Sequence, residues 1–387
     1  MRMRLTDAGG EFRSATEDFT SCSSPQAAPG SQFAAIREVQ EKIGASKRSY
    51  VTRRLDLKRA ERLIATGCKP QSGDVVLCVV VEIGQHGHLE LVTGRRSKLF
   101  VGDTIIVAYG ERYATDQFHA VLPADLSACS LAAAGGIAAE IVGKHSGVRR
   151  ATRIEPIGVL ASRDGKPINI ASAALTLVPG VKPARKPIVV TVLGTAMNAG
   201  KTTTAANIIK SLRKQNLKVG AVKLTGTGSG GDCWLFRDAG ADPVLDFTDA
   251  GFASTYNAPI EALEQAGRVL FAALAAEEPD FIVCEIADGL LQQETLALLR
   301  SSFLKEATDS VVFAAGDAIS AAAGVHILGA HGFLAAAISG VVSASPLAAA
   351  EVSRATGLPV LTQEDLLGPA GGASAFLLPS RRAGAAT

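Results

Sequence analysis

At 387 residues, 47% of them hydrophobic and 20% charged, the chain can bury two cores and is neither disordered nor collagen-like in composition. A formal net charge of +2 supplies no long-range positive field, so no nucleic-acid partner is expected and a small molecule is. Cys22, Cys68, Cys78, Cys129, Cys233 and Cys284 form no CxxC pair and no apolar run spans a membrane's depth; reduced thiols, no membrane segment and a cytoplasmic setting are expected.

In chain order, residues 1–50 are rich in Ser, Gly, Pro and charge, with a helical pattern only over 33–43, so an unordered or partly helical arm is expected. Over 51–177 come short β-like runs, VVLCVVVEI, HLELVT, KLFV and TIIVAYG, which predict a small β-rich domain. The alanine-rich stretch 126–141 reads as a helix, and runs near 154–161 and 168–171 as closing strands. Residues 178–187, VPGVKPARKP, have little to bury and predict a linker. From 188 to 370, continuous apolar runs (IVVTVLG, VGAVKL, FIVCEIA, SVVFAAG, AAISGVV) alternate with helical segments. That pattern predicts an α/β domain with a parallel sheet covered on both faces. The small-residue tail 371–387 is expected to be loose.

The chemistry concentrates after the first of these runs. Gly194, Thr195, Ala196, Met197, Asn198, Ala199, Gly200, Lys201, Thr202 and Thr203 follow a predicted strand and open a predicted helix, as a phosphate-binding loop requires. Gly200 lets the backbone approach a phosphate, the first helical amides point at the anion, Lys201 brings a positive charge, and the Thr202 hydroxyl is placed for magnesium. Five residues separate Gly194 from Gly200, so Thr195 stands where the first glycine of G-x-x-x-x-G-K-[ST] is usual. No nucleophile elbow and no dinucleotide-binding G-x-G-x-x-G occurs, which disfavours serine hydrolases and nicotinamide oxidoreductases.

The string GTAMNAGKTTTAANI resembles the loop of the dethiobiotin synthetase family and its relatives among the cobyrinic acid synthases. The resemblance covers about half of the chain. It implies a P-loop NTPase fold, ATP and Mg2+ as cofactors, and phosphoryl transfer to a small carboxylate or carbamate. It implies catalytic roles for Lys201 and Lys223, nucleotide contacts from Gly194, Thr195, Asn198, Ala199, Gly200, Lys201, Thr202 and Thr203, and a metal site from Thr202, Asp232 and Glu285. Because Glu285 is followed by Ile286-Ala287-Asp288-Gly289 instead of the family's glycine, either Glu285 or Asp288 is the effective acid. Ser343-Ala344-Ser345-Pro346 replaces an asparagine that reads the base in relatives, leaving ATP against GTP open.

A ligase or kinase-type enzyme acting on a small carboxylate or amine, as a homodimer, is therefore the expected function. Two other readings stand beside it: amino-acid N-acylation, since some N-acyltransferases carry a similar loop, and a nucleotide-dependent accessory protein for molybdopterin cofactor assembly. The latter draws on segments 218–226 and 236–242, and would make the β-rich domain a docking element. Weaker signals are the glycine-rich stretch 226–232, expected to be a flexible closing loop; His86 and His88, a metal pair or a polar turn; and the basic group Arg95, Arg96 and Lys98. Tyr113, Asp116 and His119 form the densest polar group of the first domain, and Cys284 reads as a buried structural thiol.

Overall fold

The structure, a computed structural model, describes residues 29–177 and 185–368, with side chains from residue 36 onward. Most of the expected N-terminal arm, residues 178–184 of the linker, the 371–387 tail and Cys22 lie outside the described residues. Among the described residues no helix is long and apolar enough to cross a membrane.

The first sheet begins after helix α1 (Pro29–Ala45) with β1 (Lys47–Arg48), so residues placed in the arm by sequence enter a sheet. It continues through β2 (Arg62–Ile64), β3 (Val75–Glu82), β6 (Thr104–Tyr109), β7 (Arg112–Tyr113), β8 (Phe118–Val121), β9 (Cys129–Ala133), β10 (Ile137–Lys144) and β11 (Thr152–Ala161). A separate hairpin pairs β4 (His88–Glu90) with β5 (Arg96–Lys98). The ladder runs β6, β3, β11, β9, β10, and β10 pairs back to β6 through Ile137 and Ala138, closing a five-strand ring.

The helix expected over 126–141 is instead the hairpin of β9 and β10. Alanine favours helix, but Gly135 and Gly136 interrupt the run, and Gly136 adopts φ +108°, a conformation natural to glycine in a turn. The closing strand expected at 168–171 is a 3-10 turn, Ile170–Ala173, capped by the Asn169 side chain.

The second sheet is wholly parallel. Its strands β12 (Ile188–Gly194), β13 (Val219–Lys223), β14 (Val244–Asp246), β15 (Phe281–Glu285), β16 (Ser310–Ala314) and β17 (Ala335–Ser339) lie in the order β14-β13-β15-β12-β16-β17. Alternate residues feed opposite cores. Leu193, Val222, Ile282 and Phe313 join one cluster with Leu263, Leu270, Leu299 and Leu328. Val190, Val192, Ala221 and Val283 join another with Ile208, Ile209, Leu212 and Phe236. Burial on both faces is why these strands read as unbroken apolar runs. The chain thus has a mixed α/β architecture, a parallel-sheet P-loop domain preceded by a smaller β-rich domain.

Candidate nucleotide and acceptor site

In the sheet order, β12 lies between β15 and β16 while the next strand, β13, lies beyond β15. A crevice therefore opens at the carboxyl end of β12, where open α/β sheets bind ligands. There the chain turns and enters α2 (Lys201–Lys214), whose Ala205, Ile208, Ile209 and Leu212 face the core and fix the helix on the sheet. Gly200 caps the helix at φ +94°. A Cβ on Gly194 would lie 2.6 Å from Lys201 Cγ, so glycine is what lets the lysine stem cross the strand end. Lys201 is only 6% exposed, and its Nζ donates to the Ala196 carbonyl at 2.8 Å.

Around this loop the charged groups are dense and mostly satisfied. The Lys223 ammonium, at the end of β13, pairs with the Asp232 carboxylate. Burial opposes the charge on Lys223, but Asp232 and Glu285 outweigh it and raise its pKa. Thr202 Oγ1 donates to Glu285 Oε1 at 3.1 Å. Glu285 is 2% exposed, and its Oε2 is buried without a hydrogen-bond partner. Burial, with Asp232 adding, pushes its pKa up to about 7 against the opposing pull of Lys223, Lys201 and Thr202. Burial likewise raises Asp288, opposed by Lys201, Lys223 and Arg112, and lowers Lys201.

A magnesium ion of the kind P-loops use fits this donor set. Thr202 and Glu285 offer hard oxygens, and an orphaned buried carboxylate oxygen is what a cation would satisfy. Among the described residues no three His, Cys, Asp or Glu side chains could hold a metal by themselves, which leaves most of a shell to phosphate and water.

Two cavities meet at the loop. One, of about 430 Å³, is lined by Gly200, Lys201, Thr202, Lys223, Glu285 and Asp288. The other, of about 440 Å³, shares Met197, Asn198, Lys223 and Asp288 with the first and extends to the β-rich domain at His86, Arg96, Arg112, Asp116 and Gln117. A third, of about 950 Å³, lies beside Thr203 and Asn207 and reaches Ser339, Ser343, Thr362 and Glu364, where a base could lie.

The wall formed by the β-rich domain has a different character. Arg112 is 8% exposed. Its Nη1 donates to the Ala132 carbonyl and lies 3.2 Å from His86 Nε2, while its Nε is buried without a partner. Burial lowers the Arg112 pKa to about 10, with Asp288 and Asp116 opposing. Burial, aided by Arg112, lowers His86 to about 4 and holds it neutral. Asp116 accepts from Asn198 of the phosphate loop at 2.7 Å through Oδ2, but its Oδ1 and Gln117 Oε1 are buried and unpartnered.

Several buried contacts hold the two walls together. Tyr50 Oη donates to Asp246 Oδ2 at 2.8 Å, and Arg53, stacked 4.1 Å from the Tyr50 ring centroid, bridges Asp246 at 3.2 Å and Asp249 at 2.6 Å. Glu90 accepts from Gly230 N at 2.9 Å and from Trp234 Nε1 at 2.8 Å. A Cβ on Gly228 would meet Val51 Cγ1 at 2.3 Å. Gly228 and Gly230 thus serve close packing against the β-rich domain, in place of the expected loop closing over substrate.

The family described as molybdopterin guanine dinucleotide synthesis protein B, MobB, matches residues 189–307, from β12 through the helix Ser302–Ala307. The chain carries a P-loop NTPase domain. That makes it a nucleotide-binding protein, without fixing the dethiobiotin synthetase type in particular. No curated protein matches the chain. Among solved structures it is similar to the 54 kDa signal recognition particle protein of Aeropyrum pernix K1 in complex with GDP, at 20% identity over 48% of this chain and 43% of that one, with a TM-score of 0.33. It is also similar to the signal recognition particle receptor FtsY of Elizabethkingia anophelis, at 14% identity over 49% of this chain and 61% of that one, TM-score 0.32. The chain thus spans about half the length of the structures it matches.

Within this P-loop domain the residues singled out by sequence fall as follows. Lys201, Thr202, Thr203, Asn198, Gly200, Lys223, Asp232, Glu285 and Asp288 line one cavity. Thr195 stays at the strand end, its amide bonded to the Ala314 carbonyl. Asp232 is engaged by Lys223, while Glu285 bonds Thr202 directly. His86 and His88 do not converge: His86 faces Arg112 and His88 is exposed. Asp116 reaches the cleft, but Tyr113 and His119 pack around Tyr256, with the Tyr113 and Tyr256 rings stacked at 5.4 Å. Cys284 is fully buried among the core residues of β15. Sequence reading passed over Arg112, Gln117, Glu90 and Trp234. Arg112, Glu90 and Trp234 act through contacts distant along the chain, Gln117 shows its role only by facing the cleft, and no motif marks any of the four.

Proposed function

We propose that this chain is a magnesium- and ATP-dependent enzyme that transfers the γ-phosphoryl group to a small acceptor held between its two domains. The reading rests on one observation: the phosphate-loop cavity opens into a second polar cavity, and Lys223 lines both. A nucleotide sensor needs the first cavity; a transferase needs both. Lys201 would hold the β- and γ-phosphates, with the loop amides and the α2 N-terminus. Thr202 and Glu285 would hold magnesium, which offsets phosphate charge when bound. Lys223, kept charged by Asp232, would neutralise charge developing between the γ-phosphorus and the acceptor.

With a carboxylate acceptor, one carboxylate oxygen forms a bond to the γ-phosphorus as the bond to the β,γ-bridging oxygen breaks. ADP leaves with the electron pair, and an acyl phosphate remains. Supplying a mixture of small carboxylic acids, ATP and hydroxylamine converts such a product to a stable hydroxamate. ATP-dependent hydroxamate is the expected result. Lys223→Met is expected to bind ATP within about threefold of wild type and to lose on the order of a hundredfold in turnover, since its contact is made in the transition state.

The MobB match favours a second reading, a nucleotide-dependent accessory protein for cofactor assembly. Phosphate release that a protein partner stimulates, without hydroxamate and with Lys223→Met near wild type, would establish it instead.

A further inference from the structure

We propose that the cleft wall formed by the β-rich domain is a carboxylate-binding site centred on the guanidinium of Arg112. The inference deepens the phosphoryl-transfer reading by assigning the acceptor's anchor, and it rests on that reading for the identity of the cleft. Arg112 lines the cleft yet is 8% exposed, and among the described residues no carboxylate lies within ion-pair distance of it. Its two protein contacts, Ala132 O and His86, both use Nη1. Nε has no partner at all, so the edge formed by Nε and Nη2 is unused. That edge presents two parallel N–H donors, the geometry on which a guanidinium takes a carboxylate through two hydrogen bonds. A buried guanidinium left without an anion is costly, which is a reason to expect that a ligand completes it.

The rest of the cleft selects among anions. His86 is neutral and adds no charge. Arg96, exposed on β5, lines the same cavity, and Lys223 is already paired with Asp232. Asp116 and Asp288 also line it and repel negative charge. Two arginines against two carboxylates leave this wall near neutral, so an anion is held by the two parallel donors of Arg112 and not by surplus charge, which suits a planar carboxylate better than a tetrahedral sulfate or phosphate of equal charge. Because Asn198 of the phosphate loop bonds Asp116, an acceptor seated on Arg112 lies beside the loop that holds the nucleotide.

The test uses the full chain with ¹⁵N-labelled arginine and follows the Nε–H resonances during titration with succinate and, separately, with sulfate. Succinate is expected to shift the Arg112 resonance saturably and to bind more tightly than sulfate. Arg112→Gln should weaken succinate at least tenfold. Arg96→Gln, at an exposed position, should weaken it two- to fivefold and guards against a folding defect in the first variant. Lys201→Ala should leave succinate affinity within twofold. Equal succinate binding by wild type and both arginine variants, tighter binding of sulfate, or loss of succinate binding only in Lys201→Ala would overturn the proposal. ATP affinity is measured alongside: a wild type that takes succinate on Arg112 but no ATP would sink the phosphoryl-transfer reading and leave the carboxylate site standing.

Discussion

The two walls of the cleft are built on opposite plans. On the phosphate-loop wall most charged groups already have a partner within the protein: Lys201 the Ala196 carbonyl, Lys223 the Asp232 carboxylate and Glu285 the Thr202 hydroxyl, with Glu285 Oε2 the buried atom left for a cation. On the wall of the β-rich domain Arg112 Nε, Asp116 Oδ1 and Gln117 Oε1 are buried and unmatched. A phosphate loop meets the same charged group in every nucleotide, so the first wall's groups can be held ready at little cost. The second leaves hydrogen-bonding capacity unspent, as a surface does when its ligand supplies the missing partners. In the proposed reading, fixed machinery and selective recognition are separated between the two domains, and perturbing each should fail in a different way.

The largest effect is expected from Lys201→Ala. The ammonium is buried against the loop and bonds only a carbonyl, so its loss removes phosphate affinity without opening the hydrophobic core. Nucleotide affinity or turnover should fall on the order of a thousandfold, in the range seen when one preorganised electrostatic contact is removed. The circular dichroism spectrum should stay native. An unchanged dissociation constant from nucleotide titration would remove the phosphate loop from the mechanism and erase the contrast between the walls.

Next comes the joint that keeps the walls facing one another. Asp246 is fully buried and accepts from Tyr50, Arg53 and Thr248. Burial would raise its pKa, but Arg53, Thr248 and Tyr50 outweigh it and hold it below the usual carboxylate range. Asp246→Asn leaves the Arg53 charge with fewer partners in a desolvated site, and breaking a buried pair in this way costs on the order of 3 kcal/mol. Urea unfolding measures it. A loss below about 0.5 kcal/mol, the scale of an exposed pair, would show that the domains are held by apolar contact alone.

Acid should act on the β-rich domain's wall through His86. Its folded pKa of about 4 lies below the ordinary value of 6.5, so between those values the unfolded chain binds the extra proton and stability rises with pH. The contribution is complete above pH 6.5 and is lost as pH falls toward 4. Between pH 7 and pH 5, His86→Asn should therefore lose about 2 kcal/mol less stability than wild type. Parallel pH profiles for the two proteins would mean that the imidazole is solvated and that Arg112 does not crowd it.

How far the site was legible in the sequence follows the same division. Strand β12, the turn, Lys201 and Thr202 are contiguous, and contiguity is what a motif records. The parallel sheet was legible because strands covered on both faces carry uninterrupted apolar runs. In the β-rich domain, Ala132, Ala133 and Ala139 pack into one core and Ala138 into the other, so that both faces of the hairpin are covered, yet in isolation an alanine-rich run reads as helix. The glycine-rich stretch 226–232 reads as a flexible closing loop because sequence cannot reveal that Val51 lies against Gly228 and Glu90 against Gly230. Arg112 carries no motif at all, and its lack of an ion-pair partner among the described residues exists only in three dimensions.

The smallest effect, and the most local, concerns the seam between the walls. Trp234 is the sole tryptophan and lies edge-on to Tyr50, ring centroids 6.2 Å apart, with its indole N–H donated to Glu90 Oε1 at 2.8 Å. Trp234→Phe keeps much of the ring packing and deletes that donor, while Glu90 Oε2 keeps Gly230 N and Ser229 Oγ. A hydrogen bond to a charged acceptor is worth about 1.5–3 kcal/mol; Glu90 is buried, but its other oxygen keeps two donors, so a loss of about 1.5 kcal/mol, the low end of that range, is expected. Circular dichroism in urea reads it, since the variant lacks the fluorophore. In wild type the same tryptophan reports on the seam, and seating a ligand beside Ser229 in the cleft should change its emission. A variant as stable as wild type, together with emission indifferent to nucleotide and succinate, would show that Glu90 holds the glycine loop without help from the indole.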